Sequence, residues 1–155
     1  VCAFNKPFVN FWLHSEFLLV EDQKMSKSLK NYYVLSDLFD NGFTSEEFRF
    51  IVLSSHYRSR VNFSMKRRDE ARSSIKRIKE LQSRLYDITN EKSNELPKAV
   101  KLFNEYLCDD LDTPRTLDVL RKLDVIAGDR LKNDGDIGPI SGMYSIFQCV
   151  LGVFS

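Results

Sequence analysis

The chain has 155 residues, 43% of them hydrophobic and 29% charged, with six Gly and four Pro. That balance excludes a disordered, collagen-like or low-complexity polymer and leaves room for one domain of ordinary size or pieces of two. Net charge is only +1, and no run approaches the roughly 20 apolar residues of a membrane-spanning helix, so no membrane partner is expected.

The apolar run Phe17 to Val20 is too short for a signal-peptide core, and the chain starts at Val1 rather than Met, so a preceding segment is expected. Cys2, Cys108 and Cys149 are odd in number, far apart and without C-x-x-C spacing, and the only histidines are His14 and His56. Neither a disulfide framework nor a metal site follows from this chain. Cys108 and Cys149 lie in apolar helical patterns and read as small buried hydrophobes.

In chain order, the first forty residues read as strands and loops. Phe8 to Trp12 and Phe17 to Val20 are short aromatic and β-branched runs, and Glu21-Asp22-Gln23 forms a turn. From Ser36 the period becomes helical. Thr44 followed by Glu47 spells a capping box for a short helix with Phe48, Ile51 and Val52 on one face. Ala71, Ile75, Ile78, Leu81, Leu85 and Ile88 predict a helix of about six turns. After the polar break Asn90 to Glu95, the stripe Val100, Phe103 and Leu107 predicts a helix opened near Pro97 and ending near Asp109. Thr113-Pro114 supplies an N-cap and a first-turn proline for a helix over 114–131, carrying Leu117, Leu120, Leu123 or Asp124, and Ala127. Turn signals from Asn133 to Pro139 precede a last apolar face of Met143, Ile146, Phe147, Val150, Leu151 and Phe154. Four consecutive amphipathic helices cannot hide their stripes singly and are expected to pack as a bundle.

Charge divides along the chain. Residues 56 to 79 hold nine basic groups against two acids, a local +7, whereas residues 104 to 136 hold nine acids against five bases. The basic stretch fits either a solvated helix face or a surface for a polyanion such as a nucleic-acid backbone. Asp109, Asp110 and Asp112 cluster, but a helix stop and the Thr113 cap account for them without metal. Trp12 and His14 read mainly as aromatic packing ahead of the loop, with a stacking role as the alternative.

The chemistry is concentrated in Lys24-Met25-Ser26-Lys27-Ser28, which follows a strand and a turn. Lysine ammoniums are compact charges suited to phosphate oxygens, and the serine hydroxyls can donate to the same oxygens. Spacing alone would fit many lysine-rich surface loops. The literal string KMSKS is the second signature of class I aminoacyl-tRNA synthetases, and five specified letters arise by chance in roughly one in twenty thousand chains of this length.

Within that class the chain resembles the cysteinyl-tRNA synthetases. The likeness is carried by Asn10-Phe11-Trp12-Leu13-His14-Ser15, by Lys24 to Asn31, by Ser55-His56-Tyr57-Arg58-Ser59 and by Asp109-Asp110-Leu111-Asp112-Thr113-Pro114. Glu16 and Lys30 stand where glycine is frequent in the family.

The resemblance implies a mainly α chain: the end of a Rossmann-type α/β catalytic domain with the KMSKS loop (1–40), a stem-contact-like connecting region (41–63) and a tRNA-binding helical bundle (64–155). It implies a cytoplasmic monomer that uses ATP with Mg²⁺ to activate L-cysteine and transfers it to tRNA(Cys). Lys24, Met25, Ser26, Lys27 and Ser28 would bind ATP, with Lys24 and Lys27 acting catalytically on the departing pyrophosphate. His56, Tyr57, Arg58 and Arg60 are the candidate tRNA contacts. The family's HIGH signature and the ligands of its Zn²⁺ do not occur in these residues and are expected upstream, so this chain alone is expected not to charge tRNA. A related ligase joining cysteine to an amino sugar, and a non-catalytic tRNA-binding module, are the competing readings.

Overall fold

The computed structural model describes residues 9–86, 96–133 and 151–152. It is mostly helical, with a small three-stranded sheet. β1 (Leu18–Val20) lies between β2 (Gln23–Lys24) and β3 (Val61–Phe63). β1 pairs antiparallel with β2 through a two-residue turn, and parallel with β3, with Leu18 opposite Val61 and Val20 opposite Phe63. A parallel pair needs a crossover. Here it contains α1 (Leu35–Asp40) and α2 (Ser45–Leu53).

The capping box at α2 forms: the Glu47 amide donates to Thr44 Oγ1 at 3.2 Å, and the Thr44 amide donates to Glu47 Oε2 at 2.9 Å. Its inward face is Glu47, Phe50 and Ile51, with Phe48 half-buried. Val52, expected on that face, is 38% exposed, because two residues place it about 200° around the helix from buried Phe50. α3 (Arg67–Tyr86) buries Ala71, Ile75 and Ile78 as their spacing requires. The expected stripe members Leu81, Leu85 and Ile88 lie outside the described side chains.

α4 (Leu96–Cys108) buries Phe103 and half-buries Val100 and Leu107. Cys108, expected inside, is exposed, since it falls in the last turn of α4 on the side away from Phe103. The chain then passes Asp110 and Leu111 in left-handed conformation, φ 54° and 56°, and enters α5 (Thr113–Lys132). The cap of α5 is Asp112 rather than Thr113. Its Oδ1 accepts from the Arg115 amide at 3.0 Å, and its carbonyl accepts from the Thr116 amide and hydroxyl. A carboxylate there also faces the positive end of the helix dipole. Leu117, Leu120, Leu123 and Ala127 are buried as expected. Residues 134–150, which include most of the expected last helix and Cys149, lie outside the described residues; Leu151 is helical and buried in the core.

One core joins these parts. Phe63 on β3 is 2% exposed and meets the rings of Phe43 at 5.4 Å, Phe48 at 6.1 Å and Tyr33 at 6.4 Å, within edge and tilted packing range. Leu38, Phe43, Phe50 and Ile51 from the crossover belong to the same buried cluster as Ile75, Ile78, Leu117 and Leu120. The apolar interior therefore runs across residue 64 without a break.

Candidate functional site: the Lys24–Ser28 loop

β1 and β2 are joined by Glu21 and Asp22, both left-handed, with φ 48° and 61°. Two central residues with positive φ give the twist that a tight hairpin needs, a role usually filled by Asn-Gly. Non-glycine residues hold this shape at a conformational cost, met here by bonds to β3. The Glu21 amide donates to the Phe63 carbonyl at 3.0 Å and the Asp22 amide to Asn62 Oδ1 at 2.9 Å, while Asn62 Nδ2 donates to Asp22 Oδ1 at 2.6 Å.

The loop leaving β2 is braced by Asn31. The Ser26 amide donates to Asn31 Oδ1 at 2.8 Å, and Asn31 Nδ2 donates to the Lys24 carbonyl at 3.1 Å. Ser26 Oγ and Ser28 Oγ are 2.7 Å apart, and the Leu29 amide donates to Ser26 Oγ at 3.2 Å. The Lys30 amide closes the turn onto the Lys27 carbonyl at 3.2 Å, with Lys30 itself at φ 53°. That left-handed backbone gives a physical reason for a glycine preference at position 30.

Lys24, Lys27 and Ser28 are exposed; Met25 and Ser26 are half-buried. Lys24 Nζ lies 5.4 Å from the Phe17 ring centroid and Lys27 Nζ 5.5 Å from that of Tyr32. Neither ammonium has a carboxylate partner among the described residues. The arrangement presents two cations and a hydroxyl pair on a cross-braced loop, suited to an oligophosphate.

The segment ahead of β1 differs from expectation. Residues 9–12 form no strand, and Phe11 is 91% exposed, because among the described residues no neighbouring strand pairs with them. Trp12 and His14 are exposed and stack on each other with centroids 6.0 Å apart, so core packing does not describe them.

The other candidate residues gather at Asp110. Arg58 grips its carboxylate with Nε at 2.6 Å and Nη2 at 3.1 Å, and Tyr57 Oη donates to Oδ1 at 2.5 Å. His56 Nε2 is 2.9 Å from the Asp110 carbonyl oxygen, while the Arg58 amide donates to His56 Nδ1 at 3.2 Å. One tautomer, with the proton on Nε2, satisfies both contacts. The Arg58 and Tyr57 hydrogen bonds hold the Asp110 carboxyl down at about 2, and the same carboxylate raises the Tyr57 phenol and the Arg58 guanidinium. Arg60 stands apart, its Nε 3.9 Å from Glu16 Oε2. The neighbouring acids are also engaged: Asp109 and Asp112 both accept from Arg115. At Asp112 burial pushes the carboxyl up, but the Arg115 amide and guanidinium outweigh it and leave it lowered. Among the described residues no group of three or more His, Cys, Asp or Glu side chains is disposed to hold a metal ion.

The basic stretch of α3 proves largely internal. Arg72 binds Glu47 Oε1 at 2.6 Å and the Gly42 carbonyl at 2.8 Å, and its guanidinium is raised by that carboxylate. Arg68 donates to the Asn41 carbonyl, Arg67 to the Asn62 carbonyl and Ser54 Oγ, and Lys79 to Glu46. The sequence carries no sign of the bracing roles of Asn31, Asn62 and Asp110, or of the Arg72 partner of Glu47. Only the Thr44–Glu47 spacing offered a signal, because the other partners are distant in the chain or lie in a loop without periodicity.

The loop carries the KMSKS string, and residues 1–73 match the family described as tRNA synthetases class I (C) catalytic domain. The chain is 42% identical over 126 residues to Cysteine--tRNA ligase of Brachyspira hyodysenteriae, covering 76% of this chain and 27% of that protein. It is 31% identical over 159 residues to the enzyme of the same name from Protochlamydia amoebophila (97% and 33%), and 50% identical over 82 residues to that of Chlamydia muridarum (53% and 17%). The chain belongs to the cysteinyl-tRNA synthetase family. It spans a third or less of the length of these relatives. No helix among the described residues is long and apolar enough to cross a membrane.

Proposed function

We propose that this chain supplies the KMSKS part of a cysteine–tRNA ligase, in which ATP and L-cysteine form an adenylate and the cysteinyl group passes to tRNA(Cys). In this reading residues 1–40 end a Rossmann-type nucleotide-binding domain, 41–63 connect, and 64–155 form a tRNA-binding helical bundle in a cytoplasmic, monomeric enzyme. The observation that carries it is the pair of ammoniums, Lys24 and Lys27, without a carboxylate partner among the described residues, on a loop cross-braced by Asn31.

Lys24 and Lys27 meet the triphosphate, accompanied by Mg²⁺, and offset charge growing on the leaving pyrophosphate. Ser26 and Ser28 donate to its oxygens, and Met25, half-buried, anchors the loop. The chain works by positioning and electrostatics, and no residue of the loop needs to move a proton. The described residues do not fit a zinc site, so no step here involves that metal. The names of the relatives favour tRNA over an amino sugar as acceptor. The lysine loop favours an enzyme over a passive binding module.

Among the tRNA candidates, we assign backbone contact to Arg60, whose ion pair is long. His56, Tyr57 and Arg58 are engaged with Asp110 and serve to hold that corner rather than to meet the backbone directly.

The test is cysteine-dependent ATP–pyrophosphate exchange in a full-length ligase containing this chain. Lys27→Ala is expected to slow exchange about a hundredfold, the loss of one preorganised donor at roughly 3 kcal/mol, with little change in cysteine binding. Unchanged exchange removes Lys27 from this role.

A further inference from the structure

The KMSKS loop has two supports. Asn31 lies within it, and the second, from outside, is Asn62 on β3. This side chain forms a two-way bond with Asp22, accepting from its amide at 2.9 Å and donating to its carboxylate at 2.6 Å. Asp22 is the second of two left-handed residues of the turn, just before Gln23 and Lys24 enter β2. Asp tolerates the left-handed region but Glu does so at a cost, so contacts outside the turn help to hold the pair in this shape.

Asn62 is itself fixed. It lies on β3 beside β1, and its carbonyl accepts from Arg67 Nη1 at 2.9 Å, while Arg67 Nη2 reaches Ser54 Oγ at 2.8 Å. A continuous line of bonds thus runs from the start of α3 through Asn62 and Asp22 to the strand that carries Lys24. Besides the Phe63 carbonyl and Asn62, the described residues offer the turn amides no other partner.

We propose that Asn62 is a positioning residue that, through Asp22, fixes the aim of the Lys24–Ser28 loop toward phosphate. The inference rests on the phosphate role proposed above for that loop. Asn62 touches no substrate and acts only through the turn. If the turn relaxes, β2 loses its exit direction and the Asn31 brace must hold a loop whose base moves.

The experiment uses the full 155-residue chain. Backbone amide exchange is read by NMR, and inorganic pyrophosphate is titrated against the Lys24 and Lys27 signals, with melting temperature as control. In the unaltered chain the Glu21 and Asp22 amides are expected to be protected; exchange at the rate of unstructured peptide would overturn the proposal before any variant is made.

Asn62→Ala is expected to speed exchange at Asp22 and also at Ser26, whose own bond is to Asn31, and to weaken pyrophosphate binding, each by about tenfold for loss of such a pair. The double replacement Asp22→Asn with Asn62→Asp reverses donor and acceptor and is expected to restore both readouts, whereas Asn62→Asp alone sets two carboxylates together and does not. If Asn62→Ala changes exchange at Asp22 alone, leaving Ser26 and pyrophosphate binding untouched, Asn62 is only a local structural contact. If the unaltered chain ignores pyrophosphate, the phosphate reading fails, while the spread of exchange from Asp22 to Ser26 still decides whether Asn62 controls the loop.

Discussion

The lysines of the Lys24–Ser28 loop and the cations of α3 carry the same charge but differ in what answers it. Lys24 and Lys27 rest against aromatic rings and face solvent, without a carboxylate among the described residues. Arg67, Arg68, Arg72 and Lys79 reach back to Ser54, to the Asn41 and Gly42 carbonyls just after α1, to the Asn62 carbonyl within β3, and to Glu46 and Glu47 on α2. A run of +7 therefore overstates the charge open to a partner, and two isolated lysines understate it. Availability is decided by acids far away in the sequence, which a local charge count does not see.

The strongest test of this difference is Glu47. Glu47 is 3% exposed, and its carboxylate receives both the Thr44 amide and Arg72. Glu47→Ala leaves that amide and a guanidinium without their acceptor, and a loss of about 2–3 kcal/mol in unfolding free energy is expected in urea titration. Lys24→Ala and Lys27→Ala are expected to stay within about 0.5 kcal/mol of the parent, as exposed side chains without a hydrogen-bond or ion-pair partner among the described residues do. A comparable loss in a lysine variant would erase the distinction between the two sets.

The Asp110 corner extends the comparison to pH. Arg58 and Tyr57 hold its carboxyl at about 2, below its value in an unfolded chain, so the contact stabilises the fold fully above about pH 4 and is lost as pH falls toward 2. Asp110→Asn is expected to melt lower than the parent at pH 5–6, with the gap closing between pH 4 and pH 2. A gap that stays constant across that range would mean that Arg58 and Tyr57 act there without regard to charge.

A smaller effect separates the cations within the basic stretch. The side chains of Lys66 and Arg77 are exposed and make no hydrogen bond or ion pair among the described residues. Replacing both with Ala is expected to flatten the salt dependence of tRNA affinity by up to about two logarithmic units while leaving the melting temperature in place. Replacing Arg68 and Arg72 is expected to do the reverse, and equal slopes for the two double variants would return the whole stretch to one class.

Periodicity made the helices legible. Ala71, Ile75 and Ile78, and Leu117 through Ala127, repeat over several turns, so local spacing and tertiary burial agree. The Lys24–Ser28 loop was legible as a literal string, without its geometry. β3 escaped because Val61-Asn62-Phe63 is three residues long and offers one alternation, too little for a period of two to stand out. The Asp112 cap was misplaced by one residue because Thr-Pro is itself a sound helix start, and only the Arg115 amide shows which oxygen accepts. The exposure of Phe11 and Trp12 runs against their hydropathy, since burial of a strand depends on neighbours that composition does not name.

The smallest expected effect belongs to Lys30, where charge and backbone oppose each other. At φ 53° a lysine carries a left-handed cost of roughly 1 kcal/mol that glycine avoids, partly offset by the greater freedom of glycine in the unfolded chain. Lys30→Gly is expected to raise stability by a few tenths of a kcal/mol to about 1 kcal/mol and, by removing an exposed cation beside the loop, to weaken pyrophosphate binding slightly in a way that fades with salt. Lys30→Asn separates the causes: it removes the same charge but tolerates the left-handed region only in part, so its stability should fall between Lys and Gly while its binding matches Gly. Lys30→Arg keeps both charge and strain and should match the parent in each measurement. If Gly and Asn variants bind pyrophosphate as the parent does, Lys30 adds nothing to the charge that Lys24 and Lys27 present, and its lysine is a tolerated departure at a position whose backbone favours glycine.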